Sequence, residues 1–371
     1  MKKILLITSA YTGHGHKSIS DSLMEQFSLI PDVEVKVIDG FELGGEFGVQ
    51  SSKIYGVVTR RARTLWKMTW AVTMRTTPRF KTMAAICAPR LLEHISAFHP
   101  DLILSVHSMF NGMLTYILEQ RGLDIPVVTL QADLINIHKT WCNPKTKMTI
   151  CPTREAYDCS VRLGMPPEKL KIMGFPTRRR FCDAARAAQK PDYDGSHPLR
   201  CLMMSGGEGS GNLKAYAESI LDNTNATLTI ICGRNKKIRS RLRRDLGPKY
   251  GSRLNVLGFV TEVEQEMLKS DLIIARGSPN SMLEAVVMNV PLIITGALPG
   301  QERDNPLLML NYNLGVVSES PEDVPLIIRD LLYNNGARLK DIRRSQREYR
   351  NFDNAKNIAE YVVSITEPLD Y

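Results

Sequence analysis

Residues 3–18 read KILLITSAYTGHGHKS, and residues 199–212 read LRCLMMSGGEGSGN. Each stretch begins with a short apolar run, continues into a glycine-rich turn and leads into a segment of helical periodicity, as at Ile19, Leu23 and Phe27. A buried strand, a glycine turn and a helix in that order are typical of the start of a doubly wound α/β domain. Because the pattern occurs twice, the sequence predicts two such domains.

Apolar runs rich in Ile, Leu and Val alternate with helical segments along the rest of the chain, as expected of parallel strands with crossover helices. The strands predicted for the first domain are Lys3–Ser9, Val33–Asp39, Asp101–Val106, Val127–Leu130, Met148–Cys151 and Leu170–Met173. Those predicted for the second are Leu199–Met204, Thr227–Cys232, Leu254–Leu257, Leu272–Ala275 and Leu292–Thr295.

The strand pattern lapses between Gly174 and Pro198, where prolines and arginines replace apolar runs. Such a stretch is typical of a connection between domains. The expected organisation is a first domain over residues 1–176, a linker over 177–198, a second domain over 199–345, and a C-terminal helix over 346–371 that packs back on the first domain.

The composition favours a folded cytoplasmic protein with an anionic partner. A chain of 371 residues, 43% hydrophobic and 23% charged, is large enough for two cores and unlike a disordered chain. Its net charge of +9 favours a phosphate, a nucleic acid or an acidic membrane as the partner.

Its seven cysteines are scattered, without a Cys-x-x-Cys pair, which favours reduced thiols and no zinc site. Ile4–Ile7 is too short for a signal peptide, and no run reaches the roughly 20 residues of a membrane-spanning helix, so any membrane contact is expected to be peripheral.

The turn after the first predicted strand places a histidine at the start of a helix. Gly13 and Gly15 flank His14, and His16 follows. The helix dipole and free N–H groups disfavour a charged imidazole there, so His16 is expected to be neutral near pH 7 and able to act as a general base. Alternatively, the glycines only shape a turn and His16 is a capping or solvated residue. The sequence also leaves open whether His14 rather than His16 is the base.

The turn that opens the second domain is a candidate diphosphate site. Four glycines within residues 206–211 permit close approach of a ligand to the backbone, where N–H groups can bind phosphate oxygens. No Gly-Lys-Ser/Thr sequence follows, so this is not a Walker loop, and a flexible turn is the alternative. Glu284, one turn into the helix after Pro279, is placed either to bind ribose hydroxyls or to lie solvated on the helix.

Together these motifs resemble the diacylglycerol glycosyltransferases. That family includes plant monogalactosyldiacylglycerol synthases and bacterial processive diacylglycerol glucosyltransferases, and it is related to the lipid-linked muropeptide N-acetylglucosaminyltransferase. The resemblance rests on the order and spacing of Gly13–His16, Gln131–Leu134, His138–Trp141, Gly206–Gly209, Gly258–Val260 and Pro299–Glu302 with Asn305. It implies an α/β fold of the GT-B type, with two Rossmann-like doubly wound domains facing across a cleft. The second domain would hold most of the UDP-sugar and the first the lipid acceptor.

The resemblance also implies roles for individual residues. His16 would be the general base, and Asp133 would lie near the acceptor or orient His16. The implied UDP-sugar contacts are Gly13, Gly15, Ser205, Gly206, Gly207, Glu208, Gly209, Gly233, Arg234, Phe259, Val260, Gly277, Ser278, Pro279, Asn280, Ser281, Glu284, Pro299, Gly300, Gln301, Glu302 and Asn305. Ser278 and Asn280 stand where the family usually has glycines. In the family pattern, Ser205–Gly209 would bind the diphosphate, and Phe259 and Val260 the uracil. Glu284 would bind the ribose, and Gln301 and Glu302 the sugar hydroxyls.

No cofactor and no metal ion are expected. The UDP-sugar is a substrate, and backbone N–H groups, helix dipoles and Arg234 would stabilise the departing diphosphate in place of a cation. The chain has an Asp-x-Asp pair at Asp192 and Asp194, of the kind that binds manganese in many glycosyltransferases. It lies in the predicted linker with no strand before it, which argues against a metal site.

The segment from Arg60 to Arg90 is basic, contains no acidic residue and carries two tryptophans one helical turn apart. A basic amphipathic helix with tryptophan on its apolar face suits anionic lipid headgroups. The expected membrane contacts are Arg60, Arg61, Arg63, Trp66, Lys67, Trp70, Arg75, Arg79 and Lys81. In the alternative, Trp66, Trp70 and Met74 pack into the domain and the charges are solvated. No recognised nucleic-acid-binding module accompanies these charges, so no nucleic-acid partner is expected.

The sequence therefore predicts an inverting, metal-independent hexosyltransferase. It would move glucose or galactose from UDP-glucose or UDP-galactose to diacylglycerol, or to a glycosylated diacylglycerol, at the cytoplasmic face of a membrane. The alternatives are transfer to another lipid such as a cell-wall precursor, a soluble UDP-sugar epimerase or hydrolase that turns over its substrate without lipid, and a non-catalytic nucleotide sensor. The choice of hexose, the number added in succession and the oligomeric state stay open.

Overall fold

A computed structural model of the chain describes residues 1–10, 14–61, 63–75, 80–188, 190–204 and 212–371. Its contacts divide the chain into two compact units, of which unit 1 comprises Met1–Arg178, Leu298–Glu302 and Asp353–Tyr371, and unit 2 comprises Arg179–Ala297 and Arg303–Phe352. Each unit contains a six-stranded sheet whose neighbouring strands all run parallel. The predicted α/β class is therefore confirmed.

Unit 1 is a doubly wound domain. Its strands are β1 (Lys2–Thr8), β2 (Val33–Asp39), β3 (Leu102–Ser105), β4 (Val127–Leu130), β5 (Met148–Cys151) and β6 (Leu170–Ile172). Its helices up to residue 178 are α1 (His14–Phe27), α2 (Gly45–Arg61), α3 (Arg63–Arg75), α4 (Phe80–Phe98), α5 (Ser108–Gln120) and α6 (Arg154–Arg162). The strands lie in the order β2-β1-β3-β4-β5-β6.

The position of β1 inside the sheet explains its sequence. Ile4 pairs with Val35 of β2 on one side and with Leu102 of β3 on the other. All four residues of the run Ile4–Ile7 are completely buried, because helices cover both faces of a parallel sheet. The order of strands changes direction between β1 and β3, and a ligand site is expected at the carboxyl ends of the strands at such a switch point.

Unit 2 has the strand order of dinucleotide-binding domains. Its strands are β7 (Arg200–Met204), β8 (Thr227–Ile231), β9 (Leu254–Leu257), β10 (Leu272–Ala275), β11 (Leu292–Ile294) and β12 (Val316–Val317). Its helices are α7 (Arg179–Ala187), α8 (Leu213–Asn223), α9 (Lys236–Tyr250), α10 (Val263–Leu268), α11 (Pro279–Val287), α12 (Asn305–Asn311) and α13 (Asp323–Tyr349). The order β12-β11-β10-β7-β8-β9 places the switch point between β7 and β10.

The last helix, α14 (Asn354–Ser364), belongs to unit 1. The Lys2 ammonium donates to the carbonyl oxygen of Val363 at 2.8 Å, and the Lys147 ammonium donates to that of Ile365 at 2.9 Å. The apolar face of α14 is buried; it consists of Ala355, Ile358, Ala359 and Val362. Burial of each large apolar side chain contributes about 1.5–3 kcal/mol, so α14 is an integral part of unit 1.

Helix α7 and strand β12 of unit 2 are not among the elements predicted from the sequence. Helix α7 lies inside the stretch predicted as a linker and buries Phe181, Cys182 and Ala185. Strand β12 has only two residues, which is too short for a periodic pattern. The boundary predicted between residues 345 and 346 falls inside α13.

Candidate active site

The switch point of unit 1 brings two histidines together. Helix α1 begins at His14, shortly after β1, and α5 begins at Ser108, shortly after β3. Because β1 and β3 are adjacent parallel strands, the segments that follow them leave the sheet at the same edge. The imidazole rings of His16 and His107 have centroids 4.4 Å apart, with their planes inclined by 48°. The candidate site of unit 1 is built around this pair.

The hydrogen bond at Nδ1 of His16 fixes the position of its ring proton. Nδ1 lies 2.8 Å from the carbonyl oxygen of Val106. A carbonyl oxygen can only accept, so Nδ1 carries the proton and Nε2 has the lone pair. Burial lowers the pKa of His16 to about 4, and the hydrogen bond to Val106 opposes part of that shift. His16 is therefore neutral at pH 7, mainly because of burial rather than because of the helix dipole from which the sequence predicts neutrality.

Asp133 follows β4 and pairs with a buried tryptophan. Its Oδ2 accepts a hydrogen bond from Nε1 of Trp141 at 2.7 Å, and the Trp141 ring centroid lies 6.3 Å from that of His16. Burial raises the pKa of Asp133 to about 7; the hydrogen bond from Trp141 opposes the shift and the charge of Glu302 adds to it. Asp133 thus belongs to the same site as His16, although Nδ1 of His16 is held by Val106 and not by Asp133.

The predicted sugar-binding segment Pro299–Glu302 lies in unit 1, close to Asp133. Oε2 of Glu302 accepts a hydrogen bond from the backbone N–H of Leu298 at 2.9 Å, and Asn136 Nδ2 donates to the carbonyl oxygen of Gly300 at 3.3 Å. Gly300 has a φ of +93°, and a Cβ placed on it would lie 2.9 Å from the ring of Trp70. A glycine is therefore required at position 300.

Trp66 and Trp70 make ring contacts within unit 1, and the burial of Trp66 corrects the prediction that this residue contacts a membrane. Trp66 is only 9% exposed, and its ring lies 6.1 Å from that of Trp70. The Trp70 ring in turn packs edge-on against His138 at 4.6 Å. Met74 also faces inward, because its sulfur accepts a hydrogen bond from the backbone N–H of Lys139 at 3.4 Å. Trp66 is therefore buried and Trp70 and Met74 are half-buried against unit 1, in line with the alternative that the sequence leaves open.

Other side chains of the same helices are exposed and apolar. Met68 and Val72 of α3 are 63% and 57% exposed. Phe47 and Ile54 of α2 and Ile86 of α4 are also exposed. Of the predicted basic contacts, Lys81 is exposed at the start of α4, whereas Arg79 and the side chains of Arg60, Arg61, Arg63, Lys67 and Arg75 lie outside the described residues. Within the described ranges, no helix has both the length and the apolar character needed to cross a bilayer.

The switch point of unit 2 lies between β7 and β10. The loop after β7, with Ser205, Gly206, Gly207, Glu208 and Gly209, lies outside the described residues, as does Gly13 in unit 1; Gly15 lies in the first turn of α1. After β10, the chain enters α11 through Ser278, whose side chain makes no capping hydrogen bond but donates to Oγ of Ser281 at 3.0 Å.

Buried polar groups support the loop before α11. Asn305 is completely buried and donates from Nδ2 to the carbonyl oxygen of Gly277 at 2.8 Å. Glu284 is buried on α11, which excludes the solvated position that the sequence left open. Asn280 follows Pro279 in the first turn of the helix. The beginning of α11 therefore combines an oriented helix N-terminus with a buried carboxylate, an arrangement that suits an anionic ligand with hydroxyl groups.

An exposed aromatic ring and a guanidinium group lie together in the loops after β8 and β9. The Arg234 guanidinium lies 4.7 Å from the ring centroid of Phe259, and Phe259 is 55% exposed. Gly233, before the arginine, has a φ of +59°, and Val260, after the phenylalanine, is half-buried. A phenylalanine that presents a face to solvent beside a guanidinium can stack a planar base.

The Asp-x-Asp pair has protein partners in unit 2. Oδ1 of Asp192 lies 2.7 Å from the guanidinium of Arg343. Oδ1 of Asp194 accepts a hydrogen bond from the backbone N–H of Ser196 at 2.9 Å. The two carboxylates therefore support the chain before β7.

Two family models match the sequence. The model of monogalactosyldiacylglycerol (MGDG) synthase matches residues 16–177, and that of the glycosyltransferase family 28 C-terminal domain matches residues 201–303. Among curated relatives, monogalactosyldiacylglycerol synthase 1 of Arabidopsis thaliana is 27% identical over 364 residues, covering 89% of this chain. The chain spans only 64% of that relative's length.

Solved structures share the two-unit fold. MurG of Acinetobacter baumannii superimposes with a TM-score of 0.67 at 12% identity, covering 98% of this chain and 100% of MurG. UDP-GlcNAc 2-epimerase of Neisseria meningitidis, bound to UDP-GlcNAc, superimposes with a TM-score of 0.61 at 12% identity, covering 98% of this chain and 100% of the epimerase. The predicted GT-B fold and the family resemblance are thereby confirmed. By sequence, the chain is a relative of the monogalactosyldiacylglycerol synthases, and its fold is that of the GT-B glycosyltransferases.

Proposed function

We propose that the protein is an inverting glycosyltransferase that moves glucose or galactose from a UDP-sugar to diacylglycerol, or to a glycosylated diacylglycerol. The observation that carries this proposal is the neutral His16, whose Nδ1 is bound to Val106 and whose Nε2 has the lone pair. A hydroxyl nucleophile needs a base of this kind to take its proton as it attacks. The family relationship supplies the substrate classes.

In the proposed reaction, the acceptor hydroxyl transfers its proton to Nε2 of His16 as its oxygen attacks the anomeric carbon. The bond between that carbon and the diphosphate oxygen breaks on the opposite face, so the configuration inverts and UDP leaves. Above pH 7 the Asp133 carboxyl is ionised, since its pKa is raised to about 7. Its negative charge favours the imidazolium that His16 becomes, and Trp141 holds the carboxylate in place.

The UDP-sugar would be bound mainly by unit 2. The face of Phe259 next to Arg234 suits the uracil, and the buried carboxylate of Glu284 suits the ribose hydroxyls. Phosphate oxygens are well matched to the N-terminus of α11 and to the guanidinium of Arg234. These groups would stabilise the leaving diphosphate without a metal ion or other cofactor, and a chelator should leave the rate unchanged.

We further propose that unit 1 rests on the cytoplasmic face of an anionic membrane. The support is the set of exposed apolar side chains on α2, α3 and α4, which includes Met68 and Val72. Apolar side chains that enter the headgroup region and cationic side chains beside them both favour binding to anionic lipid. An acceptor such as diacylglycerol stays in the bilayer, so docking of this kind would bring the enzyme to its substrate.

The decisive test supplies the pure protein with vesicles that contain diacylglycerol, with and without anionic lipid, and with UDP-glucose or UDP-galactose. The expected result is a glycosylated lipid and one equivalent of UDP, formed faster on anionic vesicles. Turnover of the UDP-sugar at the same rate without any lipid would contradict the proposal and favour an epimerase or a hydrolase. If product formed only with another lipid acceptor, the protein would still be a glycosyltransferase, but the proposed acceptor would be wrong.

A matched pair of variants tests the membrane surface in the same assay. The double variant Met68→Ser/Val72→Ser should reduce binding to anionic vesicles and the rate on them. Leu326→Ser, at a residue of α13 in unit 2 that is 62% exposed, is the control and should change neither. Equal losses in both variants would mean that the α3 side chains have no special role.

Replacement of Phe259 by alanine should weaken UDP binding about tenfold, because stacking of a base on an aromatic ring contributes roughly 1–3 kcal/mol. The dissociation constant measured by calorimetry checks this. Tyr333→Ala removes another exposed aromatic ring of unit 2 and should leave UDP affinity unchanged. Unchanged UDP affinity in Phe259→Ala would remove the assignment of the uracil to this ring.

A further inference from the structure

His107 has a defined tautomer, opposite to that of His16. It is the N-cap residue of α5, and its Nδ1 accepts a hydrogen bond from the backbone N–H of Met109 at 3.3 Å. A backbone N–H can only donate, so Nδ1 of His107 has the lone pair and the ring proton is on Nε2. Burial and the neighbouring His16 hold the pKa of His107 well below its usual range, so the ring is neutral.

Within the described ranges, the ring of His107 makes its one hydrogen bond at Nδ1, so its Nε2–H group has no protein acceptor there. The residue is 4% exposed, and its ring packs against Phe41 at 5.5 Å and Phe110 at 5.0 Å between centroids. Neither aromatic ring offers an oxygen or nitrogen acceptor. A donor of this kind can bind water or an oxygen atom of a ligand. A ligand oxygen in the site would supply the missing acceptor.

The two rings therefore present complementary groups. The ring centroids are 4.4 Å apart; Nε2 of His16 can only accept, and Nε2 of His107 can only donate. We propose that His16 and His107 form a binding pair for one neutral hydroxyl group, whose proton is donated to His16 and whose oxygen accepts from His107. This inference rests on the proposed function only for the identity of the molecule that carries the hydroxyl.

The pair selects an alcohol as the acceptor class. A carboxylate has no proton to donate to His16, and an ammonium group has no lone pair to accept the hydrogen bond from His107. An alcohol satisfies both rings and keeps a second lone pair on its oxygen. In the transfer step, the O–H proton moves to His16, this second lone pair forms the bond to the anomeric carbon, and the diphosphate leaves with the electrons of the broken bond. His107 keeps its proton throughout and positions the oxygen.

Two substitutions at His107 separate its role as a helix cap from its role towards the hydroxyl. His107→Asn places a side-chain oxygen close to the position of Nδ1, where asparagine is a favourable N-cap, but removes the donor at the position of Nε2. His107→Gln extends an amide N–H towards the position of Nε2 and loses the cap. The readouts are the steady-state constants for diacylglycerol in vesicles and for UDP-glucose or UDP-galactose, with the melting temperature.

His107→Asn should retain the melting temperature and lower kcat/KM for the lipid acceptor roughly 10- to 100-fold, with KM for the UDP-sugar unchanged. His107→Gln should have a lower melting temperature but recover most of that loss in kcat/KM. If His107→Asn were as active as the native protein, or if activity followed melting temperature in both variants, His107 would only be a cap and the proposal would be overturned.

A second experiment needs no substrate. Nitrogen-15 spectra of protein labelled at its histidines distinguish protonated from unprotonated ring nitrogens. At pH 7.5, the resonances lost in His16→Gln should be those of an Nδ1–H tautomer, and those lost in His107→Asn should be those of an Nε2–H tautomer. An Nδ1–H tautomer at both positions would overturn the hydroxyl pair while leaving the proposed function standing. An Nε2–H tautomer at both positions would remove the base as well and overturn both. Opposite tautomers in a protein that transfers no sugar would retain the pair and reject the function.

Discussion

Replacement of His16 by alanine is expected to lower kcat about 10³-fold and to leave the affinity for UDP unchanged. General-base catalysis accounts for roughly 10²- to 10⁴-fold in rate, and His16 is the group proposed to take the proton of the acceptor. The nucleotide site is proposed to lie in unit 2, so its affinity should not depend on an imidazole of unit 1. Initial rates on diacylglycerol vesicles and calorimetric titration with UDP provide the two measurements.

His14→Ala is the matched control, because the sequence leaves open which histidine is the base. His14 lies two residues earlier at the start of α1, so the two variants disturb the same turn. The expected rate of His14→Ala is within a few-fold of the native rate. A collapse of activity in His14→Ala together with a mild effect in His16→Ala would transfer the role of base to His14.

Asp133→Asn is expected to change the pH profile of the reaction. Burial raises the pKa of Asp133 to about 7, so the carboxylate that favours a charged His16 is present above that pH and is lost as the pH falls through 7. In the native protein, kcat/KM should therefore decline below about pH 7. In the variant this inflection should be absent and the rate at pH 8 should be reduced roughly 10- to 100-fold, as measured from pH 5 to pH 9. An inflection near pH 7 that survives in Asp133→Asn would belong to another group.

The same substitution should stabilise the fold at high pH. The folded-state pKa of Asp133 is raised above the ordinary value of 3.8, so the native state binds this proton more tightly than the unfolded state. The contribution of Asp133 to the free energy of unfolding is therefore fully present below about pH 4 and is lost as the pH rises through about 7. Asparagine removes the buried charge, so the free energy of unfolding of the variant at pH 8 should exceed that of the native protein by about 2 kcal/mol. Thermal unfolding at pH 8 should accordingly occur at a higher temperature. A lower stability of Asp133→Asn at pH 8 would show that the carboxylate is a structural anchor.

The strands could be predicted because a strand that is buried on both faces has a nearly continuous run of apolar residues. Val127–Leu130 and Leu272–Ala275 are apolar or nearly so, and their predicted and observed bounds agree. Strand ends were predicted a residue too long at Ser9 and Cys232, because apolar character does not report where the hydrogen-bonded ladder stops. Helix α7 was missed because only three buried residues mark its inner face among arginines.

The candidate site was only partly predictable, because its geometry depends on residues far apart in the chain. His16 was identified from its place after a glycine turn, but its partner His107 carries no motif beyond its position at the end of a buried strand. That position at a switch point is the signal that could have found it. Trp70 was predicted to face lipid because a helical pattern alone does not reveal that His138 and Gly300 lie against its ring.

The inclusion of Asp353–Tyr371 in unit 1 has a consequence for how the protein is made. This segment follows all of unit 2 in the sequence, and it holds the ammonium groups of Lys2 and Lys147 as well as the apolar face of α14. On the ribosome, the first sheet therefore emerges long before the helix that completes its covering, while unit 2 can assemble in the interval. The N-terminal unit is thus the last to reach its final state, and a nascent chain exposes the side of α1 that packs against α14 until translation of that helix is complete.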